Sequence, residues 1–164
     1  MKKLGYVEAK IDEFSIKIFH RLVMKICNKD DFYKSDVIDY INGDVTKKLH
    51  ITLFYGCNAT EVKLKQLIEY VRNIKLSKLN LGRLFLLPGY KNLYQALCIR
   101  VTDDNNELKN ISDDISNFGY DQSVVHDKFT PHLTLAYVNS NYKISSETQV
   151  PKSVKIKNIV YFCE

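Results

Sequence analysis

The chain contains one strand-like pattern twice, and this repetition constrains the fold more than any other feature of the sequence. LHITLFYG occupies residues 49–56 and PHLTLAYV occupies residues 131–138. Each segment has the order His, aliphatic, Thr, Leu, with a Tyr five positions after its His. Side chains two residues apart in a β-strand project from the same face. Each segment therefore predicts a strand with a polar His–Thr face and an apolar face that packs in a core.

The segments around these two strands predict two related halves. LGYVEAKI favours a strand followed by a helix over 12–26, and NATEVKLKQLIEYVRNI favours a helix after the first motif strand. KLNLGRLFLL and NLYQALCIRV, separated by the turn sequence PGYK, predict an antiparallel hairpin. A third helix over 103–118 precedes the second motif strand, and SVKIKNIVYF predicts a final strand. On the first two helices we expect Phe14 and Val62 to face the core.

This order of elements predicts an α+β fold with two pseudo-symmetric lobes. We expect two antiparallel sheets backed by helices around a central cleft, with the motif strands near the middle. No linker rich in Pro, Gly or Ser divides the chain, so we expect a single domain over 1–164. We also expect a monomer.

Composition places the chain among folded proteins and excludes several classes. The 164 residues are 45% hydrophobic, without an apolar run of about 20 residues or a signal-peptide pattern, so we expect no membrane association and a cytoplasmic location. The four cysteines are widely spaced and include no CxxC pair, which predicts reduced core thiols. The net charge of +5 comes from scattered lysines, so it favours anionic partners without indicating a nucleic-acid interface by itself.

The two polar faces have a chemistry in common if the halves face each other. His50, Thr52, His132 and Thr134 would then line one cleft. One neutral imidazole can accept a proton from an attacking oxygen while the other, protonated, donates to a leaving oxygen. Threonine hydroxyls can donate to the non-bridging oxygens of a phosphodiester. This set predicts a phosphodiesterase that needs no metal or other cofactor, and the structural alternative is a pair of strand histidines hydrogen-bonded in the core.

The two H-[IL]-T-L motifs, which start 82 residues apart at His50 and His132, resemble those of the 2H phosphoesterase superfamily. The resemblance implies a bilobal fold, His50 and His132 as the acid/base pair, and Thr52 and Thr134 as phosphate ligands. It also implies metal-independent action on a small nucleotide or oligoribonucleotide: 2′,3′-cyclic phosphates, RNA ends or 2′,5′-linked oligoadenylates. The opening GYVEAKI followed by a helix is similar to the phage branch, some of whose members degrade cyclic oligonucleotide immune signals.

One tyrosine is predicted to lie in the site, and two others are predicted to lie outside it. Tyr6, on the first strand, is a candidate substrate-binding residue that could stack on a base. Tyr55 and Tyr137 lie at an odd offset from their histidines. In a regular strand they would face away from the cleft and pack under helices, so we exclude both from the site.

Other functions fit parts of the sequence. Zinc could be held by His50, His132, His126 and a cysteine, but the close ligand spacing typical of zinc proteins is missing. A non-catalytic RNA-binding module on a ferredoxin-like sheet would suit the positive charge, but no segment matches an RNP-type run. An inactive relative serving as a protein-interaction module is a third alternative. Lysines beside the motifs could attract an anionic substrate in any nucleotide-binding case: Lys47, Lys48 and Lys128.

Overall fold

The computed structural model describes residues 4–34, 49–124 and 128–163. These residues form six strands and three α-helices, which confirm the α+β class and the expected order of elements. The first motif lies in the second strand and the second motif in the fifth. The elements are β1 (Gly5–Ile11), α1 (Glu13–Ile26), β2 (His50–Cys57), α2 (Glu61–Asn73), β3 (Lys78–Pro88), β4 (Tyr94–Val101), α3 (Glu107–Ser116), β5 (His132–Asn139) and β6 (Ser153–Cys163).

The strands form a closed antiparallel circuit in the order β1, β2, β5, β4, β3, β6. Within it, β6, β1 and β2 make one three-stranded sheet, and β5, β4 and β3 make the other. The two sheets meet where Ile51 of β2 pairs with Leu133 of β5, and again where the start of β3 pairs with the start of β6. The expected hairpin of β3 and β4 is confirmed. The two sheets that we expected are thus present, although their edges join into one circuit.

The circuit has a pseudo-twofold symmetry. Exchanging β1 with β4, β2 with β5 and β3 with β6 leaves the order of neighbouring strands unchanged. Helix α1 follows β1 as α3 follows β4, whereas α2 lacks a helical counterpart between β5 and β6. The last strand of each half pairs with the first strand of the other half: β3 pairs with β4, and β6 pairs with β1. The pseudo-twofold axis therefore passes between Ile51 and Leu133, the two residues that follow the motif histidines.

The helices cover the sheets with one face each. Asp12 caps α1 by accepting a 2.9 Å hydrogen bond from the backbone N–H of Ser15. The prediction that Phe14 and Val62 face the core is wrong, because each is 70% exposed in the first turn of its helix. The core-facing stripe lies elsewhere on each helix, at Ser15, Phe19 and Val23 on α1 and at Leu67 and Val71 on α2.

A β-bulge follows the Thr of the first motif. On β2, Thr52 lies opposite Glu8 and Phe54 lies opposite Val7, so β2 carries one extra residue, Leu53. A bulge of this kind interrupts the alternation of side chains between the two faces of a strand. Phe54 and Tyr55 therefore exchange faces relative to a regular strand, and a second irregularity follows at Gly56.

The second motif strand carries the equivalent bulge. On β5, Thr134 lies opposite Cys98 and Ala136 lies opposite Leu97, so the extra residue is Leu135. Leu135 occupies the same position relative to its His as Leu53 does in β2. Both leucines are fully buried. The pseudo-twofold symmetry therefore extends to the irregularities of the two strands.

The core of the described chain includes three of the four cysteines. Cys27, Cys57 and Cys98 are buried, and burial raises the pKa of the Cys57 and Cys98 thiols to about 11. None of the four forms a disulfide, but Cys163 is exposed, so the prediction of core thiols is right for three and wrong for Cys163. Among the described residues, the helices are too short or too polar to cross a membrane.

Replacing Gly56 by alanine should destabilise the fold. Gly56 has φ of +92°, and a Cβ there would lie 2.6 Å from Cγ2 of Val124. We expect a loss of about 1–3 kcal/mol in the free energy of unfolding, measured by urea denaturation. Gly82→Ala is the matched control, since its Cβ would meet its nearest neighbour at 3.5 Å. Equal stability of the two variants would contradict the assigned conformation of Gly56.

Alkylation should distinguish the buried thiols from the exposed one. The thiolate is the reactive form, and a pKa of about 11 leaves roughly one thiol in a thousand ionised at pH 8. Iodoacetamide at pH 8 should modify Cys163 and spare Cys57 and Cys98, as read by peptide mass spectrometry. In guanidinium all four should react. Modification of Cys98 as fast as Cys163 in the folded protein would show that its burial is wrong.

Candidate active site

The pairing of β2 with β5 brings the two motifs together. Because Ile51 lies opposite Leu133 in an antiparallel register, His50 is carried to the level of Thr134 and Thr52 to the level of His132. Ile51 and Leu133 are fully buried, and their neighbours on either side point to the opposite face. The four predicted residues thus lie on one face around the pseudo-twofold axis, each His diagonal to the other.

Strand β1 adds two charged residues to this face. Glu8 lies opposite Thr52 and Lys10 lies opposite His50. Glu8 is only 6% exposed, and its carboxylate oxygens lie 3.5 Å from Nε2 of His50 and 3.8 Å from Nζ of Lys10. A buried carboxylate is costly unless cationic or hydrogen-bonding groups surround it, and these two side chains supply them.

Strand β4 adds the pseudo-symmetric pair to the other half. Cys98 lies opposite Thr134, and Arg100 lies opposite His132. Cys98 Sγ is 3.6 Å from Oγ1 of Thr134 and is fully buried. The two halves therefore present a basic residue beside each His. They differ beside each Thr, where one half has a carboxylate and the other has a thiol.

The two imidazoles are held differently. Nδ1 of His132 is 2.7 Å from the backbone carbonyl of Thr130, which can only accept, so Nδ1 carries the hydrogen and the neutral ring keeps its lone pair on Nε2. The edge of the ring packs against Phe85, with 6.1 Å between ring centroids. His50 instead directs Nε2 toward the Glu8 carboxylate. A carboxylate at this position favours forms of His50 that carry a hydrogen on Nε2.

The prediction that Tyr55 and Tyr137 face away from the cleft is wrong. The bulge at Leu53 turns Tyr55 to the face of Thr52, where it pairs with Tyr6 and is 46% exposed. The bulge at Leu135 likewise places Tyr137 opposite Ala96, two residues before Cys98 on the same face of β4. That prediction rested on a regular alternation of side chains, which the bulges in both strands interrupt.

The predicted substrate residue Tyr6 belongs to an aromatic cluster on the first sheet. Its ring stacks on Phe162 of β6 with centroids 5.4 Å apart and lies 6.5 Å from the ring of Tyr55. Lys10 Nζ lies 4.6 Å from the centroid of the Phe162 ring. A chain of contacts therefore runs from His50 through Glu8 and Lys10 to this cluster, which we name the first platform: Tyr6, Tyr55 and Phe162.

A second aromatic cluster lies at the far end of the other sheet. The rings of Tyr94 and Tyr137 meet edge to face with centroids 5.6 Å apart, and Tyr33 packs 5.2 Å from Tyr94. The backbone N–H of Tyr33 also donates to the carbonyl of Tyr137, which ties the segment after α1 to β5. All three side chains are half-buried. We name this cluster the second platform: Tyr33, Tyr94 and Tyr137.

A cavity of about 620 Å³ opens beside the motif residues. It lies where β2 and the segment before β5 diverge beyond their single paired position, with α3 on its other side. Ligand pockets for nucleotide-sized molecules fall in the range of roughly 300–1,000 Å³. Its wall combines the two motifs with aromatic and basic side chains: Thr52, His132, Tyr55, Tyr120, Phe129 and Lys128.

Some predicted residues fall elsewhere. Lys47, Lys48 and His126 lie outside the described residues. His20 lies in α1, away from the motif strands along the sequence. Within the described ranges, no three His, Cys, Asp or Glu side chains gather where they could hold a metal ion.

Sequence reasoning missed four residues beside the motifs: Glu8, Lys10, Cys98 and Arg100. A partial signal existed on β1, where Tyr6, Glu8 and Lys10 alternate with Val7, Ala9 and Ile11 and so mark a polar face. The partner strands could not be inferred from alternation, because pairing and register depend on the tertiary fold.

No protein-family model and no curated protein matches the sequence. Solved structures do match. E. coli LigT, complexed with NADP+, is 12% identical, with 98% of this chain and 87% of that chain covered and a TM-score of 0.64. Usb1 of Kluyveromyces marxianus is 13% identical, with 86% and 73% covered and a TM-score of 0.52. A third structure, described as a phosphoesterase, is 12% identical, with 99% and 88% covered and a TM-score of 0.56.

At these identities the likeness concerns the fold. It extends over most of this chain and most of each neighbour, so it is not limited to one half of the chain. The bilobal architecture expected from the two His-x-Thr motifs is the one that these neighbours share. The chain therefore has the fold of E. coli LigT and of Kluyveromyces marxianus Usb1.

Proposed function

We propose that this protein is a phosphodiesterase that cleaves oligoribonucleotides by paired-histidine acid/base catalysis. The observation that carries the proposal is the pairing of Ile51 with Leu133, which sets two His–Thr pairs on one face around a pseudo-twofold axis. A phosphodiester at that axis would have an imidazole on each side and a hydroxyl beside each imidazole. In-line displacement at phosphorus needs this arrangement, because the attacking and leaving oxygens lie on opposite sides of the phosphorus atom.

The different surroundings of the histidines suggest different roles. His132 is the proposed general base, because its Nδ1–H donates to Thr130 and its Nε2 can accept a proton. His50 is the proposed general acid, because the reaction needs a proton donor opposite the base and the Glu8 carboxylate, 3.5 Å from Nε2, can orient the His50 ring. Glu8 would act through His50 as a positioning residue.

The remaining polar groups would bind the phosphate. Thr52 and Thr134 would donate their hydroxyl hydrogens to the non-bridging oxygens, where negative charge accumulates in the transition state. Lys10 and Arg100, each opposite a motif His, would add positive charge on either side of the phosphate.

The chemistry can proceed without a nucleophile from the protein. Burial and a pKa of about 11 make the Cys98 thiol a poor nucleophile although it touches Thr134. In a 3′,5′-linked substrate, His132 would take the 2′-hydroxyl proton while the 2′-oxygen forms a bond to phosphorus. The bond to the 5′-oxygen would break as His50 protonates that oxygen, which gives a 2′,3′-cyclic phosphate and a free 5′-hydroxyl. One imidazole accepts a proton and the other donates one, so no step requires a metal.

The structural neighbours support a nucleotide substrate. Structures of E. coli LigT contain NADP+ or 3′-AMP, and one of Usb1 contains uridine monophosphate. The cavity beside Thr52 and His132 has the size and the aromatic wall that a nucleoside needs. The proposed substrates include linear oligoribonucleotides, cyclic oligonucleotide signals such as those degraded by the phage branch, and 2′,3′-cyclic phosphates. Tyr6 is proposed to contact a base.

Replacing either histidine should lower the cleavage rate of an oligoribonucleotide by about 10²- to 10⁴-fold, since each performs one proton transfer. A substrate with sulfur in place of the 5′ leaving oxygen distinguishes the roles, because a thiolate leaves without protonation. His50→Ala should regain most of its rate on this substrate, and His132→Ala should not. Product formation is measured by mass spectrometry under single-turnover conditions.

His20→Ala is the matched control and should retain the wild-type rate, since His20 lies on α1. All rates are measured in EDTA, which should not reduce them. Near wild-type rates for folded His50→Ala and His132→Ala would refute the proposed catalysis. Tight RNA binding without any cleavage by the wild type would instead favour the non-catalytic RNA-binding module.

Removing the 2′-hydroxyl next to the scissile bond should stop cleavage and leave binding nearly unchanged. This oxygen is the proposed nucleophile, whereas binding depends on the phosphate and the bases. Cleavage and fluorescence-polarisation binding are measured for a ribo-oligonucleotide and for its counterpart with one deoxyribose. Equal cleavage of the two would rule out internal attack and assign the attack to water.

A further inference from the structure

The two aromatic platforms occupy equivalent places on either side of the motif residues. Tyr55 is the third residue after Thr52 on β2, and Tyr137 is the third residue after Thr134 on β5. Because β2 and β5 are antiparallel, the two tyrosines lie toward opposite ends of the site. The same bulge turns each of them to the motif face. The pseudo-twofold symmetry that relates the two motifs therefore also relates Tyr55 of the first platform to Tyr137 of the second.

The platforms lie farther apart than two adjacent bases. Tyr55 and Tyr137 are each four residues from the central Ile51–Leu133 pair. At about 3.3 Å per residue, and allowing for one bulge on each side, they are separated by roughly 20–25 Å along the strands. Successive nucleotides of one strand rise about 3.4 Å when stacked and roughly twice that when extended. An extended strand of three to four nucleotides would span the distance.

Both platforms have the chemistry of a base-stacking surface. Each consists of three aromatic rings in contact with one another. Tyr55 is 46% exposed, and Lys10 joins the first platform to the phosphate-facing side chains through Phe162 and Glu8. Proteins that bind single-stranded nucleic acid combine aromatic rings with nearby cations in this way.

We propose that the two platforms hold bases on opposite sides of the scissile phosphate, so that the preferred substrate is a linear single-stranded oligoribonucleotide of four or more nucleotides. This inference rests on the proposed phosphodiesterase function and narrows its substrate. His132 and Thr52 lie toward the first platform, so the nucleotides on the 5′ side, which include the attacking 2′-hydroxyl, bind there. His50 and Thr134 lie toward the second platform, so the nucleotides on the 3′ leaving side bind there.

A length series on the wild-type protein tests the inference without any substitution. Each substrate has a single ribose at the scissile position and deoxyribose elsewhere, and it is extended by one nucleotide at a time on the 5′ or the 3′ side. We expect kcat/KM to rise by about tenfold or more as each side is extended, and then to level off. A cyclic dinucleotide should be cleaved no faster than the shortest linear substrate. Rates that do not depend on length, or a preference for the cyclic dinucleotide, would overturn the proposal.

Two variants test which platform holds the nucleotides on the 5′ side of the scissile phosphate and which holds those on the 3′ side. Tyr55→Ala should remove the gain from 5′ extension, and Tyr94→Leu should remove the gain from 3′ extension, so that each variant loses more kcat/KM on the long substrates than on the shortest one. Tyr55→Phe and Tyr94→Phe keep the ring and should retain the gain. Phe14→Ala removes an exposed aromatic ring from α1 and is the matched control. Equal effects of each variant on both sides, or the reverse assignment, would overturn the proposed placement.

Binding of uncleavable analogues separates this inference from the proposed function. Oligonucleotides with deoxyribose at every position are titrated by fluorescence polarisation, and their affinity should rise with length on both sides. Affinity that rises with length without any cleavage of ribose substrates would refute the proposed function and support the platforms. His-dependent cleavage with affinity independent of length would support the function and refute the platforms.

Discussion

One pair of buried residues determines where the chemistry of this protein can occur. Ile51 and Leu133 are the point at which the two motif strands meet, and both are fully buried. A slip of one residue in either strand would turn a His–Thr pair into the core and an aliphatic pair out of it, which burial energetics forbid. The apolar residues between each His and Thr therefore hold the four polar side chains on one face. The site depends on packing beneath it as much as on the residues that form it.

The sequence could predict the elements and the four motif residues because both signals are local. Alternation along each motif and the helical spacing between them are properties of neighbouring residues, and they led to the right order of strands and helices. The bulges at Leu53 and Leu135 left no comparable signal, since a bulge arises from pairing with another strand. Two tyrosines were assigned to the wrong face for that reason. Glu8 and Cys98 were missed for a related reason, since only the register shows that they lie opposite the threonines.

The backbones of the two halves are more symmetric than the side chains that surround the two motifs. Glu8 and Cys98 occupy equivalent positions, opposite Thr52 and Thr134, yet one is a carboxylate that contacts a histidine and the other is a buried thiol. A reaction with one proton donor and one proton acceptor needs this kind of difference. The repeated fold supplies two similar sets of side chains, and the neighbouring strands β1 and β4 make the sets unequal. The proposed roles of His50 and His132 follow from the Glu8 carboxylate and the Thr130 carbonyl rather than from the motifs.

The exchange of the last strands between the halves has a consequence for how the chain folds. β1 completes its pairing only with β6, whose partner residues lie about 150 positions later in the sequence. Such distant contacts carry a large loop-closure entropy and slow the search for the native state. During synthesis, β1 remains an open sheet edge until β6 has left the ribosome, so a nascent or truncated chain that lacks β6 exposes a strand that can pair with another molecule. Loss of β6 would therefore expose the β1 edge and remove Phe162 from the first platform while leaving both motifs in the chain, so such a chain would be prone to aggregate although it retains every motif residue.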